Sequence, residues 1–424
     1  MRLRMPGCVR LGSLLLLMQS GALYASDCEF SPLEIFAGED ADIVLCMESY
    51  EPGFQITAGS AAEIIYKQDL RRCGVNDKRR GAHIVLNATN AGKASVVVSD
   101  QAGAPVCKSE VIINKRRALK EPEWLNAMPL EDARYIDVKG INTRYFDKGE
   151  GPVIVLVHGG QAGGSNNSAQ KWEQNFYYLS QSYRVIALDR LAQAGTDNLS
   201  SSEAYADYFV LDAQHLEDFV DALGLKDVTL VGHSQGGWPV TRVALNRPEL
   251  VSCLVNVDTV MIPDDMELMG EALAFLMYTS RFTNPASGPT VHSSRRSMAM
   301  RYPSGNNITQ EKSKRVVDQF NSPTTAEARA GMKAARITPL HPSFKEAKAT
   351  AYADIEAGKL TTRSVVLWGA LDPQVPLGLG EQFDAMLVSA GVDTELVIIE
   401  GAGHAPFVEF PETFNELLLD SCGL

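Results

Sequence analysis

The chain has 424 residues, 45% of them hydrophobic and 21% charged, and its formal net charge is −13. That balance is that of a soluble globular protein with room for two or three domains, and it excludes a disordered or membrane-embedded class. The acidic surplus excludes nucleic acid or an anionic membrane as an electrostatic partner, since either is repelled at long range.

Arg2, Arg4 and Arg10 precede an apolar run over residues 11–18, and small residues lead to Ala25. This is the pattern of a cleaved secretory signal over residues 1–25, too short for a transmembrane helix. The mature chain is therefore expected to be exported, periplasmic or secreted, without stable membrane insertion. Cys28, Cys46, Cys73 and Cys107 crowd into one exported segment and are expected to form two disulfides, with three possible connectivities. Cys253 and Cys422 are expected to be free and buried.

Residues 27–115 hold short runs rich in β-branched residues at 43–47, 63–66, 83–87, 94–99 and 110–114, separated by turn residues such as Glu51-Pro52-Gly53 and Gln101-Ala102-Gly103. Their spacing predicts a small disulfide-bearing, β-sandwich-like domain. The basic clusters Lys78-Arg79-Arg80 and Lys115-Arg116-Arg117 read as a solvated turn and the start of a linker, which covers 116–130. From 131 to 424 the pattern changes. Apolar strands at 153–157, 184–188, 228–231, 253–257, 364–367 and 395–399 alternate with helical stretches, and a hairpin pairs 135–138 with 143–146 about Gly140. Such alternation predicts an α/β domain, a largely parallel sheet covered by helices. Residues from about 260 to 360 contain no convincing strand. A structureless insertion of that length is improbable in a compact domain, so a helical cap is expected.

Gly232-His233-Ser234-Gln235-Gly236 matches the turn in which small residues flank a serine exposed between a strand and a helix. The five-residue pattern alone arises by chance in about one chain in seven of this length. Its place between a strand and a helical stretch makes Ser234 the candidate nucleophile. A serine hydroxyl needs a base to take its proton. Among seven histidines, His404 follows the last strand in Gly401-Ala402-Gly403-His404 and fits the order serine, acid, histidine. His83, His215, His292 and His341 read as packing, surface or substrate-contact residues. Asp372, in Trp368-Gly369-Ala370-Leu371-Asp372-Pro373, is the candidate acid, with Asp258 its rival. The backbone N–H groups of Gln235 and of Gly160, in His158-Gly159-Gly160, are the candidate oxyanion donors. No metal or organic cofactor is required by this chemistry. The glycines at 159–164 lack the order of a nucleotide-binding loop.

These three motifs in this order resemble the α/β-hydrolase superfamily over residues 135–424. Within it, the long segment after His158, the cap stretch at 323–342 and the ending at 404–412 are similar to the meta-cleavage-product hydrolases, which cut a carbon–carbon bond next to a ketone. The resemblance implies an α/β-hydrolase fold with a helical cap and a small-molecule ester or ketone as substrate. That family often has Asn before the nucleophile and Trp after the histidine, where this chain has His233 and Ala405. His before Ser is common in esterases and lipases. A carboxylic ester cleaved through an acyl-enzyme is therefore the first expectation, carbon–carbon cleavage the alternative, and a non-catalytic binding protein on the same fold a third reading. His233, Arg329 and Arg336 are candidate substrate contacts. At Asp189-Arg190-Leu191-Ala192-Gln193-Ala194 the superfamily usually carries glycines that are missing here.

Overall fold

The computed structural model describes residues 29–30, 35–36, 40–47, 50–70, 80–88, 91–114, 127–201, 203–261, 270, 288–337 and 341–424. The signal segment, Cys28, Cys73, most of the linker and the start of the cap lie outside the described residues. The chain divides into two compact units, the first holding Met1–Gly38 and Ile43–Arg116 and the second Glu39–Asp42 and Arg117–Leu424.

The first unit is built of strands β1 (Glu29–Phe30), β2 (Ile35–Phe36), β3 (Asp40–Met47), β4 (Gln55–Ala58), β5 (Ala62–Leu70), β6 (Arg80–Ala88), β7 (Gly92–Ser99) and β8 (Pro105–Asn114). They form two four-stranded sheets, ordered β1-β3-β6-β5 and β2-β8-β7-β4. Alternation sets the inward faces: Ala94, Val96 and Val98 are fully buried in β7, as are Ile84 and Leu86 in β6. β5 continues beyond the apolar run at 63–66 because its backbone pairing with β6 persists to Leu70. It lies at a sheet edge, where polar residues are admitted. Cys107 is disulfide-bonded.

The second unit centres on an eight-stranded sheet of β9 (Arg134–Val138), β10 (Ile141–Lys148), β11 (Val153–Val157), β12 (Arg184–Leu188), β13 (Val228–His233), β14 (Val251–Val257), β15 (Arg363–Gly369) and β16 (Thr394–Ile399). Their order is β16-β15-β14-β13-β11-β12-β10-β9. β10 pairs antiparallel with both neighbours, and β11 to β16 are mutually parallel. The helices are α1 (Glu173–Leu179), α2 (Tyr208–Ala222), α3 (Gly237–Asn246), α4 (Val291–Arg301), α5 (Gln310–Asn321), α6 (Pro323–Ala334), α7 (Pro342–Glu356), α8 (Leu377–Ser389), α9 (Pro406–Glu409) and α10 (Pro411–Cys422). Both faces of the sheet are covered, so its strands are continuously apolar. Val155 and Val157 enter one core with Phe219 of α2, Val240 of α3 and Phe383 of α8. Ile154 and Leu156 enter the other with Phe176 of α1 and Phe414 of α10.

β12 lies on one side of β11 and β13 on the other, so the chain reverses direction across the sheet between them. Crevices open at the carboxyl ends of strands where the order reverses. Both glycine motifs leave the sheet at that point. Helices α4 to α7 form the described part of the cap, and each start is capped locally. The Thr290, Thr309 and Ser322 hydroxyls accept from backbone N–H groups in the first turns of α4, α5 and α6, and Pro323 and Pro342 open α6 and α7.

Contrary to the expectation of free thiols, Cys253 of β14 and Cys422 of α10 are joined in a disulfide, with Cα atoms 5.7 Å apart. Spacing gave no sign of it, since 169 residues separate the two. Closing a loop that long restricts the unfolded chain strongly. Cys253→Ala with Cys422→Ala is expected to lower unfolding free energy by about 2–5 kcal/mol. A thermal midpoint unchanged from wild type would show that the bond contributes nothing to stability.

Candidate active site

Ser234 sits immediately after β13 with φ +52°, a left-handed backbone that costs a non-glycine residue about 1–3 kcal/mol. The surrounding structure enforces it. The Ser234 carbonyl accepts from the Val260 N–H at 3.1 Å and the Thr259 hydroxyl at 3.4 Å. A methyl group on Gly236 would lie 2.6 Å from the carbonyl oxygens of Val157 and His158. Only a bare backbone lets α3 start this close to β11, which is why the motif demands small residues.

The Ser234 hydroxyl lies 3.1 Å from His404 Nε2, and His404 Nδ1 lies 2.7 Å from Asp372 Oδ2. With the Nδ1 proton donated to the carboxylate, Nε2 is bare and faces the hydroxyl as acceptor. Asp372 is 5% exposed and fixed by its own turn, Oδ1 accepting from the N–H groups of Gln374 at 2.7 Å and Val375 at 3.0 Å. The turn before His404 is tied as well. Its N–H donates to the Arg301 carbonyl at 3.0 Å, and Glu409 accepts from the Gly403 N–H at 2.7 Å.

The rival acid, Asp258, is fully buried beside Asp372, and its Oδ1 accepts from the Gly369 N–H at 3.0 Å. Its second oxygen has no hydrogen-bond partner. Burial, and then the charge of Asp372, push its carboxyl well above the usual range, which favours its neutral form.

The loop His158-Gly159-Gly160 abuts the serine: a Cβ on Gly159 would lie 2.7 Å from Ser234 Cβ. Gly160, at φ +86°, directly follows Gly159 in that loop, and Gln235 directly follows the serine. Two N–H groups so disposed suit an oxyanion forming on a carbonyl under attack.

His233 does not face a substrate. It is 1% exposed, its Nε2–H donates to the His404 carbonyl at 2.7 Å, and its Nδ1 receives Lys171 Nζ at 3.4 Å. Burial, then the Lys171 charge, hold it neutral, well below the ordinary histidine range. Arg329 donates to the carbonyls of Gly163 at 3.0 Å and Phe320 at 3.2 Å and stacks on the Phe320 ring, fastening cap to glycine loop. Arg336 is exposed at the end of α6. Neither is joined to the serine's hydrogen-bond network. His215, read from the sequence as surface or packing, is buried against Thr143 at 2.8 Å.

One cationic cluster went unread in the sequence. Lys171, Lys312 and Arg315 line a cavity of about 30 Å³ together with Tyr302, Gln319 and Val408. Glu173 pairs with Arg315 at 2.7 Å and Lys312 at 3.6 Å. Lys171 makes no ion pair among the described residues, and buried Arg301 Nε has no partner. Burial, and then the charge of Arg301, lower Lys171 to about 7. Positive charge is in surplus at this place. Lys171 rests on a short turn at Ala169–Trp172, where no periodicity marks it.

The α/β hydrolase fold family model matches residues 152–411. Over 123 residues the chain is 34% identical to 2-hydroxy-6-oxo-6-(2'-aminophenyl)hexa-2,4-dienoic acid hydrolase of Metapseudomonas resinovorans, a stretch that covers 29% of this chain and 40% of that protein. Over 290 residues it is 25% identical to 2-hydroxy-6-oxononadienedioate/2-hydroxy-6-oxononatrienedioate hydrolase 1 of Pseudomonas putida, covering 66% of this chain and 91% of that one. The structure of 2-hydroxy-6-oxo-6-phenylhexa-2,4-dienoate hydrolase from a Rhodococcus species is similar in fold, with TM-score 0.56 and 17% identity over 69% of this chain and 98% of that one.

Proposed function

The chain belongs to the α/β hydrolase fold family, and on that premise we propose that it is a serine-dependent hydrolase of a small carbonyl compound carrying an acid group, cutting a carbon–carbon bond next to a ketone. The single observation that carries the serine chemistry is His404 bridging the Ser234 hydroxyl and the Asp372 carboxylate. Ser234 Oγ attacks the carbonyl carbon while His404 Nε2 takes its proton, and the N–H groups of Gln235 and Gly160 hold the oxyanion. Collapse expels the leaving carbon, protonated by the imidazolium, and leaves an acyl-enzyme. Water, deprotonated by His404, then releases the acid and frees the serine.

The bond assignment draws support from the curated relatives, whose names specify oxo-dienoic and oxo-dioic acids. The acid group is supported by the surplus positive charge around Lys171. A second reading, ester cleavage, is favoured by His233 and Ala405, which replace the Asn and Trp frequent in carbon–carbon hydrolases. Comparing kcat/KM for a vinylogous diketone carboxylate with p-nitrophenyl esters of several lengths decides between them. Preference for the diketone is expected, and preference for an ester would overturn the bond assignment. Turnover of neither, with tight ligand binding, would leave a binding protein on a hydrolase fold.

If Lys171 meets the substrate's acid group, Lys171→Met raises KM for the carboxylate about 10- to 100-fold and hardly changes it for the methyl ester. The sign of the pH effect follows from the lowered ammonium. Lys171 is charged below about 7, so affinity for the anionic substrate falls as pH rises through that value. An equal loss for acid and ester would remove Lys171 from recognition.

Export to an oxidising compartment is proposed as well, from the signal-like residues 1–25 and from the bonded cysteines Cys107, Cys253 and Cys422. Among the described residues no helix is long and apolar enough to cross a membrane. Fractionation of expressing cells tests it: activity confined to the cytoplasm would sink the proposal.

A further inference from the structure

The loop after β12, where the superfamily's glycines are missing, reaches the oxyanion loop through one buried arginine. Arg190 is 2% exposed and so excluded from contact with substrate. Its Nη1 donates to the carbonyls of Gly160 at 2.9 Å and His158 at 3.3 Å. Nε and Nη2 together grip both oxygens of Asp212, itself 1% exposed. The Arg190 backbone N–H donates to His158 Nε2 at 3.1 Å, which leaves the His158 proton on Nδ1, directed at the Gly159 carbonyl 2.8 Å away.

These bonds have a geometric consequence. A trans peptide is planar, with its N–H opposite its carbonyl. The Gly160 N–H shares a plane with the Gly159 carbonyl, which His158 holds, while the next plane carries the Gly160 carbonyl, which Arg190 holds. Both planes around Gly160 are therefore fixed by groups that Arg190 touches. A glycine at φ +86° has no side chain of its own to fix it.

Two further features point the same way. Ala192 and Ala194 hold left-handed backbone, at φ +56° and +49°, where glycine would be at ease, so the loop is kept taut. Gln193 between them is buried and directed by a 2.9 Å bond to the Tyr208 hydroxyl toward the same Gly160 carbonyl. A buried ion pair is poor evidence of stabilisation, since desolvation offsets its attraction. A fork holding one carboxylate with two nitrogens and two carbonyls with the third is what only arginine provides.

We propose that Arg190, anchored by Asp212, is a positioning residue that aims the Gly160 N–H into the oxyanion hole. This rests on the reading of Ser234 as nucleophile, and the experiment separates the two. Labelling rates with a fluorophosphonate probe, and kcat and KM on a p-nitrophenyl ester, are measured for wild type, Ser234→Ala, Arg190→Lys and the charge-free pair Arg190→Met with Asp212→Leu. A wild type that labels no faster than Ser234→Ala overturns the serine reading itself. Given wild-type labelling, Arg190→Lys is expected to lower the labelling rate and kcat about 10- to 100-fold with KM unchanged, and the charge-free pair, which restores apolar packing, is expected to regain the thermal midpoint without regaining kcat. Wild-type labelling by Arg190→Lys, recovery of kcat in the pair, or unfolding of both variants would each overturn the assignment, the last by making Arg190 a stability residue.

Discussion

Ser234→Ala is expected to lower kcat by about 10⁴- to 10⁶-fold while substrate affinity and the thermal midpoint stay near wild type. The size follows from the serine, histidine and carboxylate acting as one unit. His404 Nε2 has its acceptor lone pair on the Ser234 hydroxyl at 3.1 Å, and the Ser234 backbone sits at φ +52°. Alanine takes the same left-handed backbone at the same strain, so the elbow itself is unchanged. What remains is the oxyanion pair and substrate binding, which retain a residual acceleration over water of about 10³- to 10⁴-fold. His404→Ala should fall to a similar level, and the double variant no lower, because one member cannot work without the other. Single-turnover rates together with equilibrium binding of substrate check this. Ser234→Ala retaining more than about a hundredth of wild-type kcat would require another nucleophile.

How much of this was legible in the sequence depends on what each residue answers to. The elbow was legible because its glycines answer to a local steric demand, the approach of α3 to β11, which leaves the same mark wherever the turn occurs. The strands were legible because a sheet covered on both faces needs unbroken apolar runs, as in Val153–Val157 and Arg184–Leu188. Asp372 and His404 were legible because strand ends deliver them to one crevice. The surroundings of Lys171 and of the pair Arg190 and Asp212 were not, because they come from burial against residues distant in sequence. The charged pair Asp189-Arg190 directly beyond the carboxyl end of the apolar strand β12 was the one hint available. The Cys253–Cys422 bond was hidden for the same reason, its halves meeting only once α10 packs beside the sheet.

Asp372→Asn is expected to lower kcat by about 10⁴-fold at neutral pH, since an amide no longer holds the His404 proton on Nδ1 and Nε2 loses its role as acceptor. The neighbouring Asp258 makes the outcome depend on pH. In the wild type that carboxyl is held neutral by burial first and by the Asp372 charge second. The substitution removes the second cause and leaves the first, so the Asp258 pKa falls. A carboxyl with a raised pKa is neutral below that value and ionised above it. In Asp372→Asn, ionised Asp258 therefore accumulates as pH rises, and it supplies the negative charge that the His404 imidazolium lacks. The facing charges are Asp372, Glu409 and Lys171, of which only Asp372 is altered. The rate of Asp372→Asn should accordingly climb with pH relative to wild type, while Asp372→Asn with Asp258→Asn stays flat and slower. Asp258→Asn alone, which still accepts the Gly369 N–H, should remain within about tenfold of wild type. A constant ratio of Asp372→Asn to wild type at every pH, with the double variant no slower, would confine Asp258 to holding the Gly369 turn.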